Sequence, residues 1–331
     1  MLTLSKSALG TYMFCPAMYK LAYLDKHTKM TDYARLAGAE VHRFIASLYR
    51  HTKEQRPFFY KDISKAQKAW FAAWKRALED NGKILQRPNP DKAKEFGAAG
   101  WLCIKNYWTV SENRPRPLTV EKRYSYPIMA GVTLVGIFDQ IRPMSMEDIR
   151  RIRPEIVHNG TLKDGYDPVL IVDLKTGWLN YDIGTFPSDA PEMQQAWKQA
   201  GLLSDVQGAA YTWLYQRIHG RLPVGFLLWG LREGKMFPTY GGESRFSIVR
   251  DQVQHVVDGL NAQDFTPNPG RHCTYCDYFV PCQSGKGLQV TRTLRGFSAD
   301  TPIRSVELPL TPNTPKQLRL KLRAPRVTKK K

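Results

Sequence analysis

The chain has 331 residues, of which 42 % are apolar and eight are Trp, a composition that supports a buried core and excludes disorder as the default state. Its 49 Lys plus Arg against 30 Asp plus Glu leave a formal charge of +19, which points to a polyanionic partner, most simply nucleic acid. No run of about eighteen apolar residues occurs, and Met1-Leu-Thr-Leu-Ser-Lys lacks the apolar core of a signal peptide, so an intracellular, cytoplasmic protein without membrane contact is expected.

From Leu4 to Leu24 the pattern predicts a helical pair capped by Ser5 and broken at Cys15-Pro16, because Pro16 has no backbone N–H to continue a helix. A second helix spans Thr31 to Arg50 with Val41, Phe44, Ile45 and Leu48 as its apolar stripe. His42 borders that stripe, where a histidine is either a satisfied core-edge residue or a ligand. Gly38, one turn earlier, leaves room for another segment or a nucleic acid to approach. Helices over Ser64–Asp80 and Asp91–Val110 carry aromatic stripes and complete a helical block, placed at residues 43–117, in which Cys103 is a buried thiol.

The period then changes to two. Leu118 to Tyr126, a turn at Ala130-Gly131, and Val132 to Ile141 form a hairpin signal that sets Asp139 near a strand end. Residues 142–167 are polar and read as an excursion with a short helix over Ser145–Ile152. In Val169-Leu-Ile-Val-Asp173-Leu174-Lys175-Thr-Gly177, the run of branched apolar residues predicts a strand buried on both faces. Asp173 and Lys175, two residues apart, leave the same side of it. Such a pair at a buried strand end is either a plain ion pair or part of a metal site. After a loop to Pro191, helical sequence runs to His219 with Gln207 and Tyr211 one turn apart, either a surface pair or two site residues. A hairpin over Val224–Tyr240 and a helix over Phe246–Ala262 follow.

Five cysteines are an odd number for a disulfide framework, and metal or cluster ligation is the better expectation for Cys273-x-x-Cys276, Cys282 and Cys15. Spacing alone suits zinc nearly as well as iron. Eight cations crowd the last sixteen residues, including Lys316, Arg319, Lys321, Arg323 and Arg326, so residues 286–331 are expected to form a disordered basic tail that adds nucleic-acid affinity.

Five motifs in this order resemble the PD-(D/E)XK superfamily, specifically its RecB-like branch. Gly38 to His42 is similar to its histidine motif, Gly136 to Asp139 to its Gly-x-x-Asp motif, Asp173 to Gly177 to its Asp-x-Lys-Thr-Gly motif, and Gln207 to Tyr211 to its Gln-x-x-x-Tyr motif. Leu4 to Pro16, paired with the C-terminal cysteines, resembles the iron–sulfur clasp of CRISPR-associated RecB-like exonucleases and of the AddB nuclease domain.

The resemblance implies an α/β fold: a restriction-endonuclease-like core with a central mixed sheet flanked by helices and an N-terminal helical insertion. A [4Fe–4S] clasp on Cys15, Cys273, Cys276 and Cys282 would join residues 4–24 to 264–285, making 1–285 one nuclease domain, with zinc the alternative metal. It implies Mg²⁺ or Mn²⁺ held by His42, Asp139, Asp173 and the Leu174 carbonyl, with Lys175, Gln207 and Tyr211 completing the catalytic set. The expected activity is an exonuclease on DNA ends or single strands, bacterial, archaeal or phage-encoded, working with a helicase, recombination or CRISPR partner. The rivals are a non-catalytic, zinc- or cluster-stapled nucleic-acid-binding protein and a structure-specific endonuclease. No Gly-x-x-x-x-Gly-Lys-Ser/Thr occurs, so unwinding is expected to come from another protein.

Overall fold

Helix capping and strand pairing place the elements in a computed structural model that describes residues 1–27, 31–49, 62–82, 89–177, 206–240, 242–270, 273 and 276–284, all within the unit Met1–Leu288. The expected basic tail with its lysines and arginines, and the sequence expected to be helical just before Val206, lie outside these residues.

Strand β1 (Leu2–Ser5) leads directly into helix α1 (Lys6–Phe14), whose first turn is capped by Ser5 Oγ accepting from the Ala8 N–H at 3.1 Å. Helix α1 stops where expected. Cys15 is extended at φ −161° because Pro16 excludes the helical region for the residue before it, and α2 (Pro16–Tyr19) restarts from that proline. Helices α3 (Tyr33–Ser47), α4 (Ile63–Asn81) and α5 (Pro90–Ser111) are capped by Asp32, Asp62 and Asn89. The cap of α4 is Asp62 rather than Ser64, whose own hydroxyl hydrogen-bonds the Asp62 carboxylate.

A hairpin of β2 (Thr119–Met129) and β3 (Val132–Pro143) turns at Gly131, which sits at φ +74° where only glycine is unstrained. The excursion that follows holds α6 (Met146–Ile152), capped by Ser145, and a two-stranded ribbon of β4 (Val157–His158) and β5 (Thr161–Leu162). Ile149 and Ile156 make a small core of their own with Val224. Strand β6 (Tyr166–Lys175) begins three residues before the expected Val169, and its pairing shifts register between Asp167 and Leu170, across Pro168. Helix α7 (Val206–His219), strands β7 (Leu222–Gly230) and β8 (Lys235–Thr239), helix α8 (Phe246–Asn261) and the short α9 (Phe279–Ser284) complete the described chain.

The central sheet is mixed, in the order β1-β3-β6-β7-β8, with β2 on the other edge of β3. Both β1 and β6 use one edge of β3, β1 parallel along Val132–Val135 and β6 antiparallel along Gln140–Pro143. Between them, residues 136–139 of that edge have no strand partner among the described residues, and the edge opens like a fork. Helices cover both faces. One core joins α1, α7 and α8 to Val169 and Ile171 of β6, and the other joins α3, α4 and α5 to Val172 and Leu174 of the same strand. The strand is therefore buried on both sides, as its unbroken apolar run predicts. No helix among the described residues is long and apolar enough to cross a membrane.

Candidate active site

The fork in the sheet is where the motif residues meet. An open cleft of about 350 Å³ there is lined by His42 from α3, Asp139 from β3, Asp173 and Lys175 from the end of β6, and Gln207 and Tyr211 from α7. Lys6 and Ser7 also line it, because the strand that fills the other arm of the fork delivers the start of α1 to this spot.

Alternation along β6 sends Asp173 and Lys175 to the α7 side. Lys175 Nζ stands 2.7 Å from Asp173 Oδ2 and 3.5 Å from Gln207 Oε1, while Gln207 Nε2 donates to Asp173 Oδ1. Asp173 is only 3 % exposed, and its Oδ2, although beside the ammonium, receives no hydrogen bond of good geometry. Burial pushes its carboxyl above the usual range, the Lys175 charge opposes that shift, and the Asp139 charge adds to it. Asp139 is held by its backbone surroundings, with Oδ2 accepting from the Leu174 N–H at 2.6 Å. Its Oδ1 lies 3.4 Å from His42 Nδ1. Burial works against a proton on His42, but the hydrogen bonds and charges of Asp139 and Glu121 outweigh it and push the imidazole up to about 10.

Two glycines explain how the parts come so close. A Cβ on Gly38 would lie 2.9 Å from Thr176 Oγ1, so the helix bearing His42 can rest on the end of β6 only if that position has no side chain. A Cβ on Gly136 would meet Leu214 at 2.9 Å and Tyr211 at 3.0 Å, so the missing side chain lets α7 settle against β3 beside Asp139. Tyr211 packs its ring against Phe138 at 4.6 Å between centroids and hydrogen-bonds Gln207. Burial and the nearby carboxylates raise its phenol, so it stays protonated.

The residues fit a divalent cation: carboxylate oxygens of Asp139 and Asp173 line one cleft together with the His42 imidazole. Among the described residues, one group of three metal-capable side chains has donor atoms all within 4.8 Å, and it comprises His42, Asp139 and Glu121. Glu121 is absent from the set expected from sequence. The hairpin register could have located it, since Val120 pairs with Gln140 and Lys122 with Phe138, which sets Glu121 across from Asp139.

The cysteine segments also meet. Tyr12 Oη donates to the Asp264 carbonyl at 2.7 Å, Asn268 Nδ2 to the Phe14 carbonyl at 3.0 Å, and the Asn268 N–H approaches Cys15 Sγ at 3.4 Å. Burial raises the Cys276 and Cys282 thiols; the charges of Cys273 and Cys15 add to the rise at Cys276, and those of Cys15, Cys276 and Cys273 to the rise at Cys282. Among the described residues, however, three of these sulfurs do not come within 4.8 Å of one another. Asp277 forms a two-pronged pair with Arg35 of α3, one contact measuring 2.6 Å, so the segment is also tied to the helix that carries His42. Cys103 lies apart, buried in the α3–α5 core as expected.

A family model described as the PD-(D/E)XK nuclease superfamily matches residues 3–153 and 162–283. The interval between the two spans falls in the excursion before β6. No curated protein matches the chain.

Proposed function

The chain belongs to the PD-(D/E)XK nuclease superfamily, a group of metal-dependent nucleases, and from that premise we propose that it is a RecB-like DNA exonuclease hydrolysing phosphodiester bonds at the fork of its sheet. The observation that carries this is the convergence of His42, Asp139, Asp173, Lys175 and Gln207 in one open, basic-flanked cleft at the end of β6. An ordinary ion pair accounts for Asp173 with Lys175. It does not account for a histidine and a second buried carboxylate beside them.

His42, Asp139, Asp173 and the Leu174 carbonyl are the cation ligands in this reading. A bound Mg²⁺ or Mn²⁺ supplies Lewis acidity to the phosphoryl oxygen and acidifies the attacking water, the nitrogen donor favouring Mn²⁺. Gln207 fixes the Asp173 carboxylate through Oδ1 and leaves the other oxygen beside Lys175, where it would be available to a bound cation. Lys175, held between Asp173 and Gln207, places its ammonium where negative charge grows on the phosphoryl group. Tyr211 keeps Gln207 in place. Residues 286–331 add sequence-independent affinity for the phosphate backbone, and strand separation comes from a helicase, recombination or CRISPR partner. Exonuclease action on DNA ends rests on the resemblance to the clasp-bearing exonucleases. The decisive test incubates purified protein with end-labelled linear and circular DNA, single- and double-stranded, in Mg²⁺, Mn²⁺ or EDTA. Linear DNA is expected to shorten from its ends, circles to survive and EDTA to stop the reaction. Equal cutting of circles would make it an endonuclease, and no cutting in any metal would leave a binding protein.

The same proposal assigns Cys15, Cys273, Cys276 and Cys282 to one [4Fe–4S] cluster. Supporting it are the hydrogen bonds of Tyr12 and Asn268 that join the Cys15 segment to the C-terminal one, and the charges of Cys15, Cys273 and Cys276 that reach Cys282. Closing a loop of more than 250 residues restricts the unfolded chain, so the cluster is a structural clasp. Anaerobically purified protein is expected to be brown, with about four irons per chain. Cys276→Ala should lose the colour and melt earlier, and Cys103→Ala should keep it. Colourless protein with one zinc, even from iron-replete anaerobic cells, refutes the cluster and leaves the nuclease assignment standing.

A further inference from the structure

Resting on the nuclease reading, we infer that Glu121 is a further cation-binding residue of this site, a carboxylate donor shared with His42 and Asp139 in addition to the ligands on β6. Glu121 and Asp139 face each other across the hairpin. Glu121 departs from the strand pleat, at φ +47°, and its Oε1 lies 3.3 Å from His42 Nδ1, the same atom that Asp139 Oδ1 approaches at 3.4 Å. All three donor atoms fall within 4.8 Å of one another. A first-row divalent cation bound at about 2.1 Å in octahedral geometry has adjacent ligands about 3 Å apart and opposite ones about 4.2 Å apart. The two nitrogen–oxygen separations, 3.3 and 3.4 Å, fall between these values.

Two further observations separate this from a surface ion pair. His42 and Asp139 both line the cleft that also holds Asp173, itself only 3 % exposed, so the group stands at the wall of the cleft rather than on open surface. Asp139 also divides its oxygens between two directions, Oδ1 toward His42 and Glu121 and Oδ2 toward β6. It is thus placed to join the Glu121 side of the cleft to the Asp173 side. With Glu121 included, the donors are one imidazole and three carboxylates drawn from α3, β2, β3 and β6, a set suited to Mn²⁺ and, through its oxygens, to Mg²⁺.

The test is a calorimetric Mn²⁺ titration of the full-length protein, wild type against Glu121→Gln and Glu121→Asp, with thermal melts in EDTA alongside. Glu121→Gln is expected to weaken Mn²⁺ binding at least about tenfold, and Glu121→Asp to recover part of the loss, while both variants melt close to wild type without metal. Mn²⁺ affinity unchanged in Glu121→Gln overturns the assignment, as does weaker binding by Glu121→Gln that comes only with a collapse of its metal-free melt and is absent from a well-folded Glu121→Asp. Wild-type protein that binds no Mn²⁺ overturns the nuclease site as a whole. Wild-type binding with an indifferent Glu121→Gln removes Glu121 alone.

Discussion

Asp173→Asn is expected to abolish metal-dependent cleavage while leaving the fold at least as stable as before. Asparagine matches aspartate in shape and can keep the contact with Gln207, but it removes the one charge that sits 3 % exposed with burial and Asp139 both disfavouring it. Relief from burying an ionised carboxylate, with the smaller relief from the Asp139 charge, offsets the loss of the Lys175 pair, whose ammonium is partly exposed and screened by solvent. The expected pattern is therefore a metal-free melting temperature equal to or above that of wild type, with cleavage below detection. Lys175→Ala belongs to the same experiment. Removing a charge that stabilises the transition state should slow cleavage at least about a hundredfold, roughly 2.7 kcal/mol of barrier, with DNA binding retained. The measurement is single-turnover cleavage of end-labelled DNA beside a binding assay. Wild-type rates in purified Asp173→Asn protein would sink the assignment of the site.

The largest expected loss of stability comes from Trp70→Ala, far from any reacting group. Trp70 is fully buried, meets Phe44 of the His42 helix edge to face at 5.8 Å, stacks on Trp74, and donates its indole N–H to the Gly97 carbonyl at 2.9 Å. Truncation leaves a cavity and removes the indole hydrogen bond, and large-to-small changes of this kind cost about 3–5 kcal/mol. In a domain of this size that corresponds to a fall of roughly 10 °C in melting temperature. Because α3, α4 and α5 share their core with Val172, Leu174, Leu227 and Trp229 of the sheet, the whole domain should melt earlier in one transition. A separate early transition, with the sheet melting at the wild-type temperature, would show instead that the helices form an independent unit. Thermal melts followed by far- and near-ultraviolet circular dichroism distinguish the two.

Much of the site was legible because its signals are local. A strand turns alternate side chains to the same face, so Asp173 and Lys175 had to emerge together, and the structure places them 2.7 Å apart. One helical turn separates Gln207 from Tyr211, and the two hydrogen-bond as that spacing allows. The proline after Cys15 had to break its helix, and it does. Strand β1 was not legible. Leu2–Ser5 is too short to carry a period and is a strand only because Val132–Val135 offers it an edge. Glu121 was overlooked although the hairpin register sets it across from Asp139, because its approach to His42 depends on how α3 packs against the hairpin, which no strand pattern encodes.

By itself, then, the sequence determined the types of most elements, the two-faced burial of β6, the side from which Asp173 and Lys175 emerge and the absence of a side chain at Gly38 and Gly136, since each follows from composition, backbone sterics or periodicity over a few residues. Tertiary structure alone decided what those glycines face, with Gly38 meeting Thr176 and Gly136 meeting α7. It also decided that β1 and β6 share one edge of β3, leaving the gap in which five separate elements present their polar side chains. Such a site depends on contacts between residues more than a hundred positions apart, and these are set by how apolar faces pack around a sheet, a property of the whole chain that no local window contains.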